Sequence, residues 1–235
     1  MPVTVTREDI LSVKADAAVM SVEIALNVSD GLSCRRIDEA GGEALRASIR
    51  KQRFLPVGSS AAAEAGELPF RHVLFTGAPR WLTGKANELY ALHRCYESLF
   101  ALASELGCRS VVSPFLSAWY YRFPQDEAVR IALAEAKKWD GDTIFAADTD
   151  ELYALSQRPW RKPEIVSYVG WYRDHGVFLL DNGQYARVDL RREKTEVSVV
   201  PYIEACFRKE TDPLQIPLPE EEIERLRRIY EENDW

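Results

Sequence analysis

The chain has 235 residues, 46% hydrophobic and 29% charged, with a net charge of −7. This is globular composition, neither disordered nor fibrous, and the length suits one large domain or a medium domain with a small one. No apolar run of about 18 residues occurs, which argues against a membrane span, and an acidic chain is a poor non-specific binder of nucleic acid, because neutralising phosphates needs a basic face. Met1-Pro2-Val3-Thr4-Val5 lacks the basic-then-apolar pattern of a secretory signal, so a cytoplasmic location is expected. Cys34, Cys95, Cys108 and Cys206 form no CxxC pair, and His72, His93 and His175 stand at no metal-ligand spacing from them. No metal site and no cofactor is expected, and buried reduced thiols fit the chain.

The first part reads as alternating strands and helices. Val3–Val5 is short and β-prone, and Ala17–Val22 is an apolar run suited to a buried strand. Ile37 to Gln52 reads as a helix broken after Gly41-Gly42. His72–Thr76 is a strand stopped by Gly77-Ala78-Pro79. Ala86–Leu106 is a long helix, with Leu89, Leu92, Tyr96, Leu99 and Leu102 at three- and four-residue steps and Gly107 as its C-cap. Ser110–Pro114 and Thr143–Ala147 are strands, and Gln125–Trp139 and Asp150–Ser156 are helices. This rhythm predicts an α/β sandwich with a largely parallel sheet.

After Gln157 the character changes. A polar, proline-bounded connector runs from Arg158 to Pro163. Four β-rich segments follow: Ile165–Tyr172, Val177–Leu180, Gln184–Leu190 and Val197–Tyr202. Asn182-Gly183 is a hairpin signal, since both residues tolerate the positive φ of a type I′ turn. A small antiparallel sheet is predicted. Beyond the prolines 213, 217 and 219 comes a terminal acidic helix, Glu220–Glu232, with Ile223, Leu226 and Tyr230 on one face. Glu221–Arg225 and Glu224–Arg228 stand as i,i+4 pairs on its other faces. The last sixteen residues carry −4 of the net charge, so the rest of the chain is only mildly acidic. The division predicted is residues 1–157 and residues 158–235.

Several stretches of the first part, in order, carry a resemblance. Glu8-Asp9-Ile10 stands after the first strand, and GSSAAAEAGELPFRHVLFTGAP runs from Gly58 to Pro79. Arg94-Cys95-Tyr96-Glu97-Ser98-Leu99 lies in the long helix, and Ser113-Pro114-Phe115-Leu116-Ser117 and Phe123-Pro124 follow. Together they resemble a macro domain, the ADP-ribose-binding α/β/α module, over about residues 1–157. The resemblance implies a three-layer α/β/α sandwich on a mixed, largely parallel sheet, with a cleft for ADP-ribose or a related nucleotide. It gives Asp9 as acceptor for the adenine amino group, with Ile10 beside it, and Tyr121 as the aromatic packed on ribose.

The departures from the family pattern are in the phosphate loops. The family's "NAAN" is Met20-Ser21-Val22-Glu23, without Asn. Its glycine-rich loop, which lets backbone amides approach a diphosphate, is Asn27-Val28-Ser29-Asp30-Gly31-Leu32-Ser33-Cys34, with Gly31 alone remaining. Its second loop is Ser117-Ala118-Trp119-Tyr120-Tyr121-Arg122-Phe123-Pro124, where Trp119 and Arg122 replace both glycines. Trp119 is expected to fill space that a diphosphate would occupy. Arg122 offers a cation in place of the lost glycines. Each survivor also has a plain reading: Asp9 caps a helix starting near Ile10, Tyr121 is core, and Arg122 is a solvated surface side chain.

For hydrolysis, Glu23, Asp30 and Asp38 lie in the stretch where a carboxylate base is needed. The plain readings are a turn at Asp30-Gly31 and a helix start at Asp38 and Glu39. Cys34 with His72 or His93 matches no nucleophile motif. Aromatics are dense at Trp119–Phe123 and at Tyr168–Tyr172. The first cluster is a stacking platform for a base, an anchor for a protein partner, or a loop buried by the C-terminal sheet.

Three functions follow from these readings. The leading one is nucleotide binding, of ADP-ribose or a relative, without efficient hydrolysis. The second is a protein-interaction module, immunity or antitoxin-like, that keeps the fold and has lost the ligand. Its partner would meet the Trp119–Phe123 loop or the acidic helix Glu220–Glu232. The third is an ADP-ribosyl hydrolase using Glu23 or Asp30.

Overall fold

The computed structural model describes residues 2–28, 31–82, 87–119, 123–172, 175–189, 197–200 and 218–232. Backbone contacts divide these into two units, one over residues 2–82 and 87–159 and one within 160–232.

The first unit is built on β1 (Val3–Thr6), β2 (Ala17–Val22), β3 (Ser60–Glu64), β4 (His72–Gly77), β5 (Ser110–Pro114) and β6 (Asp142–Ala146). The order across the sheet is β1-β6-β5-β2-β4-β3. Neighbours run parallel except β3, which is antiparallel to β4. Every residue of β2 is buried, as a strand covered on both faces requires. Its side chains alternate between two cores. Ala17 and Val19 join Tyr96, Leu99 and Phe145, whereas Ala18, Met20 and Val22 join Ile37, Leu45 and Phe75.

Helices α1 (Gly31–Ile49), α2 (Glu88–Glu105), α3 (Gln125–Ala136) and α4 (Asp150–Gln157) cover the two faces. α1 fills one core with Cys34, Ile37 and Leu45. Leu92, Ile131 and Leu152 of the other three helices fill the second. This is the predicted three-layer sandwich. The largest departures are at α1 and at β3, for which no strand is expected. α1 starts at Gly31 rather than Ile37, and its break falls at Gly42 (φ 56°, ψ −151°). Asp38 therefore lies inside α1 rather than at the expected helix start, and across the kink it takes a bidentate pair from Arg46, at 2.9 and 2.8 Å. β3 carries no strand signal in its own residues, because alanine is a weak strand former. Pairing with β4 imposes it.

Because the sheet is largely parallel, the loops leaving β1, β2, β4, β5 and β6 all emerge at one edge. Open α/β sheets bind ligands outside those carboxyl ends. At the opposite edge Asp16 pins the start of β5. Its Oδ2 accepts hydrogen bonds from the amides of Arg109 (2.7 Å) and Ser110 (3.1 Å). Those bonds, the Arg109 amide first, hold its carboxyl below the usual aspartate value.

The second unit has β7 (Ile165–Tyr172), β8 (His175–Leu180), β9 (Tyr185–Asp189) and β10 (Val197–Val200), all antiparallel in the order β10-β9-β8-β7. The expected extensions to Leu190 and Tyr202 lie outside the described residues. The hairpin turn corrects the type I′ expectation. Only Gly183 takes positive φ (82°), and the turn closes through Leu180 and Gln184. Asn182 uses its side chain instead, Oδ1 accepting from the Gln184 amide at 3.0 Å. Helix α5 (Glu220–Glu232) buries Leu226 and Tyr230 against Phe178, Leu180, Ala186 and Val188. Its ion pairs are i,i+3, Glu222–Arg225 at 3.8 Å and Glu224–Arg227 at 2.9 Å, not the expected i,i+4 pairs. Both spacings are neighbours on a helix surface.

Candidate functional site

A groove of about 210 Å³ opens at the carboxyl edge of the first unit's sheet. Its walls are the loop after β1, the first turn of α1 and the loop after β6, represented by Asp9, Leu32, Ser33, Arg36 and Asp148. Of the expected site residues, Asp9 and Ile10 line it directly, and Gly31 sets its α1 wall.

Asp9 caps the one-turn 3-10 helix Ile10–Ser12, Oδ1 accepting from the Leu11 amide at 2.9 Å. Oδ2 lies 2.9 Å from Arg36 Nη2. The capping reading therefore holds, and the same carboxylate stands on the groove wall. A carboxylate there offers acceptor oxygens to a hydrogen-bond donor entering the groove.

Asp148 is the site residue that sequence reasoning missed. It follows β6, and it accepts hydrogen bonds from the amides of Leu32 (3.0 Å) and Ser33 (3.1 Å) and from the Ser33 hydroxyl. These are first-turn amides of α1, which have no partner inside the helix. Burial raises the Asp148 carboxyl above the usual aspartate value, against the opposing effect of those bonds and of Arg35. Gly31 makes the approach possible. Its φ is 62°, and a Cβ there would lie 2.3 Å from Asp148 Oδ2. A signal was present in Ala147-Asp148-Thr149-Asp150. Thr149 caps α4 by accepting from the Leu152 amide at 3.2 Å, which leaves the preceding aspartate without a local task.

Glu23 and the loop after β5 do not line this groove. Glu23 follows β2 and is ion-paired with Arg80 beyond β4. Ser117 is buried, has φ 64°, and donates through Oγ to the Pro79 carbonyl at 2.9 Å. Ala118 is buried behind it. The Ala118 amide donates to the Phe115 carbonyl, and the chain turns outward. Trp119 is 51% exposed and does not line the groove. Asp30, Tyr120, Tyr121 and Arg122 lie outside the described residues. Tyr96 is a further residue without a sequence signal of its role. Buried in the apolar stripe of α2, its hydroxyl accepts from the Leu116 amide at 3.0 Å and steadies the loop after β5.

The other candidates have structural roles. Cys34 Sγ meets the Ser21 amide at 3.4 Å inside the core. Burial pushes the Cys95 thiol up to about 11, which disfavours a thiolate nucleophile. His93 Nδ1 lies 2.7 Å from Glu135, on the α2–α3 face. Among the described residues no group of three His, Cys, Asp or Glu side chains is arranged to hold a metal, and no helix is long and apolar enough to cross a membrane.

The chain and its fold have relatives. The family model for the macro domain matches residues 28–132. A macro domain-containing protein of Mesorhizobium japonicum is 34% identical over 163 residues, which cover 66% of this chain and 92% of the relative. An O-acetyl-ADP-ribose deacetylase of Pantoea vagans is 34% identical over 135 residues, 56% of this chain and 78% of that one. The Oceanobacillus iheyensis macrodomain with ADP superimposes with a TM-score of 0.60 at 21% identity, covering 65% of this chain and 86% of that one. A Trypanosoma brucei macrodomain in complex with ADP-ribose gives 0.58 at 23% identity, covering 66% and 67%. With a six-stranded sandwich, a groove at its carboxyl edge and a relative matched over nearly its whole length, the chain belongs to the macro domain family.

Proposed function

We propose that the first unit binds ADP-ribose or a related nucleotide in the groove beside Asp9, without efficient hydrolysis. The observation that carries the reading is the Asp9 carboxylate, held by the Leu11 amide and Arg36 on a groove wall that also holds the first turn of α1. Solved relatives of the same fold hold ADP and ADP-ribose. Inefficient hydrolysis is supported by Glu23, whose carboxylate is committed to Arg80 rather than left to orient water.

Calorimetry with ADP-ribose tests the reading. Wild type gives binding heat, and Asp9→Asn weakens it at least tenfold. That variant keeps an oxygen for the Leu11 cap, so the local fold is retained. No heat and no thermal shift at millimolar ADP-ribose contradicts the reading.

A specific observation favours a second reading, the protein-interaction module. Ile24, Phe54, Val57, Leu82 and Trp119 are all exposed, in loops that flank the carboxyl ends of β2, β4 and β5. Exposed aromatic and aliphatic side chains of this kind mark protein interfaces. A domain silent towards ADP-ribose favours this second reading over the first. The hydrolase reading is restored by release of ADP-ribose from a modified protein that is lost on Glu23→Ala or Asp30→Ala.

A further inference from the structure

An anion already occupies the anion-binding end of α1, and it comes from the chain itself. The free amides and the dipole at a helix N-terminus favour negative charge. Here both Leu32 N and Ser33 N, with the Ser33 hydroxyl, point at the Asp148 carboxylate. A helix is ordinarily capped by the residue just before it. This cap instead reaches across 115 residues of sequence from the far side of β6. Asp148 also lines the groove that holds Asp9 and Arg36. It lies beyond the last paired residue of β6, Ala146, so a change of its side-chain rotamer would break no strand pair. The hold is not a relaxed one, because burial disfavours the charged form that makes it.

We propose that Asp148 is a built-in competitor for a phosphate-bearing ligand: its carboxylate sits on the α1 amides a phosphate would use, and such a ligand binds only by displacing it. This inference rests on the nucleotide reading of the groove. It deepens that reading by naming what limits affinity. Two anions cannot share the Leu32 and Ser33 amides, and the side chain of Gly31, being hydrogen only, leaves the space between them to whichever anion is bound. The neutral nucleoside part of a ligand, which needs Asp9 rather than the amides, is indifferent to Asp148.

The test compares wild type with Asp148→Ala and Asp148→Asn, full chain, using inorganic phosphate, adenosine and ADP-ribose as probes. At matched ionic strength, inorganic phosphate raises the melting temperature of Asp148→Ala by at least 2 °C and leaves wild type unchanged. ADP-ribose binds Asp148→Ala at least tenfold more tightly than wild type, while adenosine affinity changes less than threefold. A folded Asp148→Ala chain that phosphate does not stabilise and that binds ADP-ribose no better than wild type overturns the proposal. Should Asp148→Ala fail to fold, Asp148→Asn keeps an acceptor for one amide and removes the charge. A threefold or greater gain in ADP-ribose affinity then supports the proposal, and no gain overturns it. If neither nucleotide nor nucleoside binds any form but phosphate stabilises Asp148→Ala, the competitor stands and the nucleotide reading fails.

Discussion

At the edge where the parallel strands begin, Asp16 accepts two backbone amides, from Arg109 and Ser110, and approaches the Ser110 hydroxyl at 3.5 Å. At the edge where they end, Asp148 accepts two backbone amides, from Leu32 and Ser33, and the Ser33 hydroxyl. The donor sets match, yet the carboxyl of Asp16 is held below its ordinary value and that of Asp148 is raised above it. Burial makes the difference. It is the largest influence on Asp148, whereas on Asp16 it is outweighed by the Arg109 amide. The same hydrogen bonds thus make an anchor at one edge and an uneasy occupant at the other. Sites of perturbed acidity in a groove are where function concentrates.

The largest expected effect is at the anchor. Asp16→Ala costs about 2 kcal/mol of stability in urea unfolding, because charge-assisted bonds to two amides are lost. ADP-ribose affinity stays within twofold of wild type. Loss of binding without loss of stability would break the division of labour between the two edges. Gly31→Ala comes next, at about 1–2 kcal/mol, since alanine is strained at a φ of 62°. It also drives Asp148 from the α1 amides, so the variant shows a larger thermal shift with inorganic phosphate than wild type does.

Acid titration sharpens the contrast by sign. The folded value of Asp16 is depressed, so its stabilisation is present above the ordinary 3.8 and lost as pH falls through the folded value. Asp16→Asn makes the acid-side loss of stability shallower. The folded value of Asp148 is raised, so the native state holds its proton longer, and stability falls as pH rises from 3.8 through the folded value. Asp148→Asn removes that fall. Identical slopes in the two variants would show that the edges do not differ. The smallest effect is at the far rim. Glu23→Gln breaks a partly exposed ion pair with Arg80 and changes stability by less than about 1 kcal/mol, read by the same urea unfolding.

The fold was legible where residues pattern locally. The apolar run Ala17–Val22 announces a buried strand, and the Leu92–Tyr96–Leu99 steps announce the α2 face. What could not be read is what tertiary pairing decides. The alanines of β3 become a strand only beside β4, and the first turn of α1 at Gly31 is capped by Asp148 from the far side of β6. The site divides the same way. Asp9 is visible from its place after the first strand, whereas the Asp148–Ser33 contact joins positions that no local pattern links. Trp119 shows the converse. A bulky residue in place of glycine suggests a filled cleft, whereas after the left-handed turn at Ser117 the side chain stands half-exposed and off the groove's lining.

Amide NMR of the isotope-labelled full chain during ADP-ribose titration tests the central claim most directly. The expected result is that the amides of Ile10, Leu32 and Ser33 shift together while those of Arg109 and Ser110 stay in place. Unmoved Ile10, Leu32 and Ser33 amides at millimolar ADP-ribose, or shifts confined to residues 160–232, would contradict it.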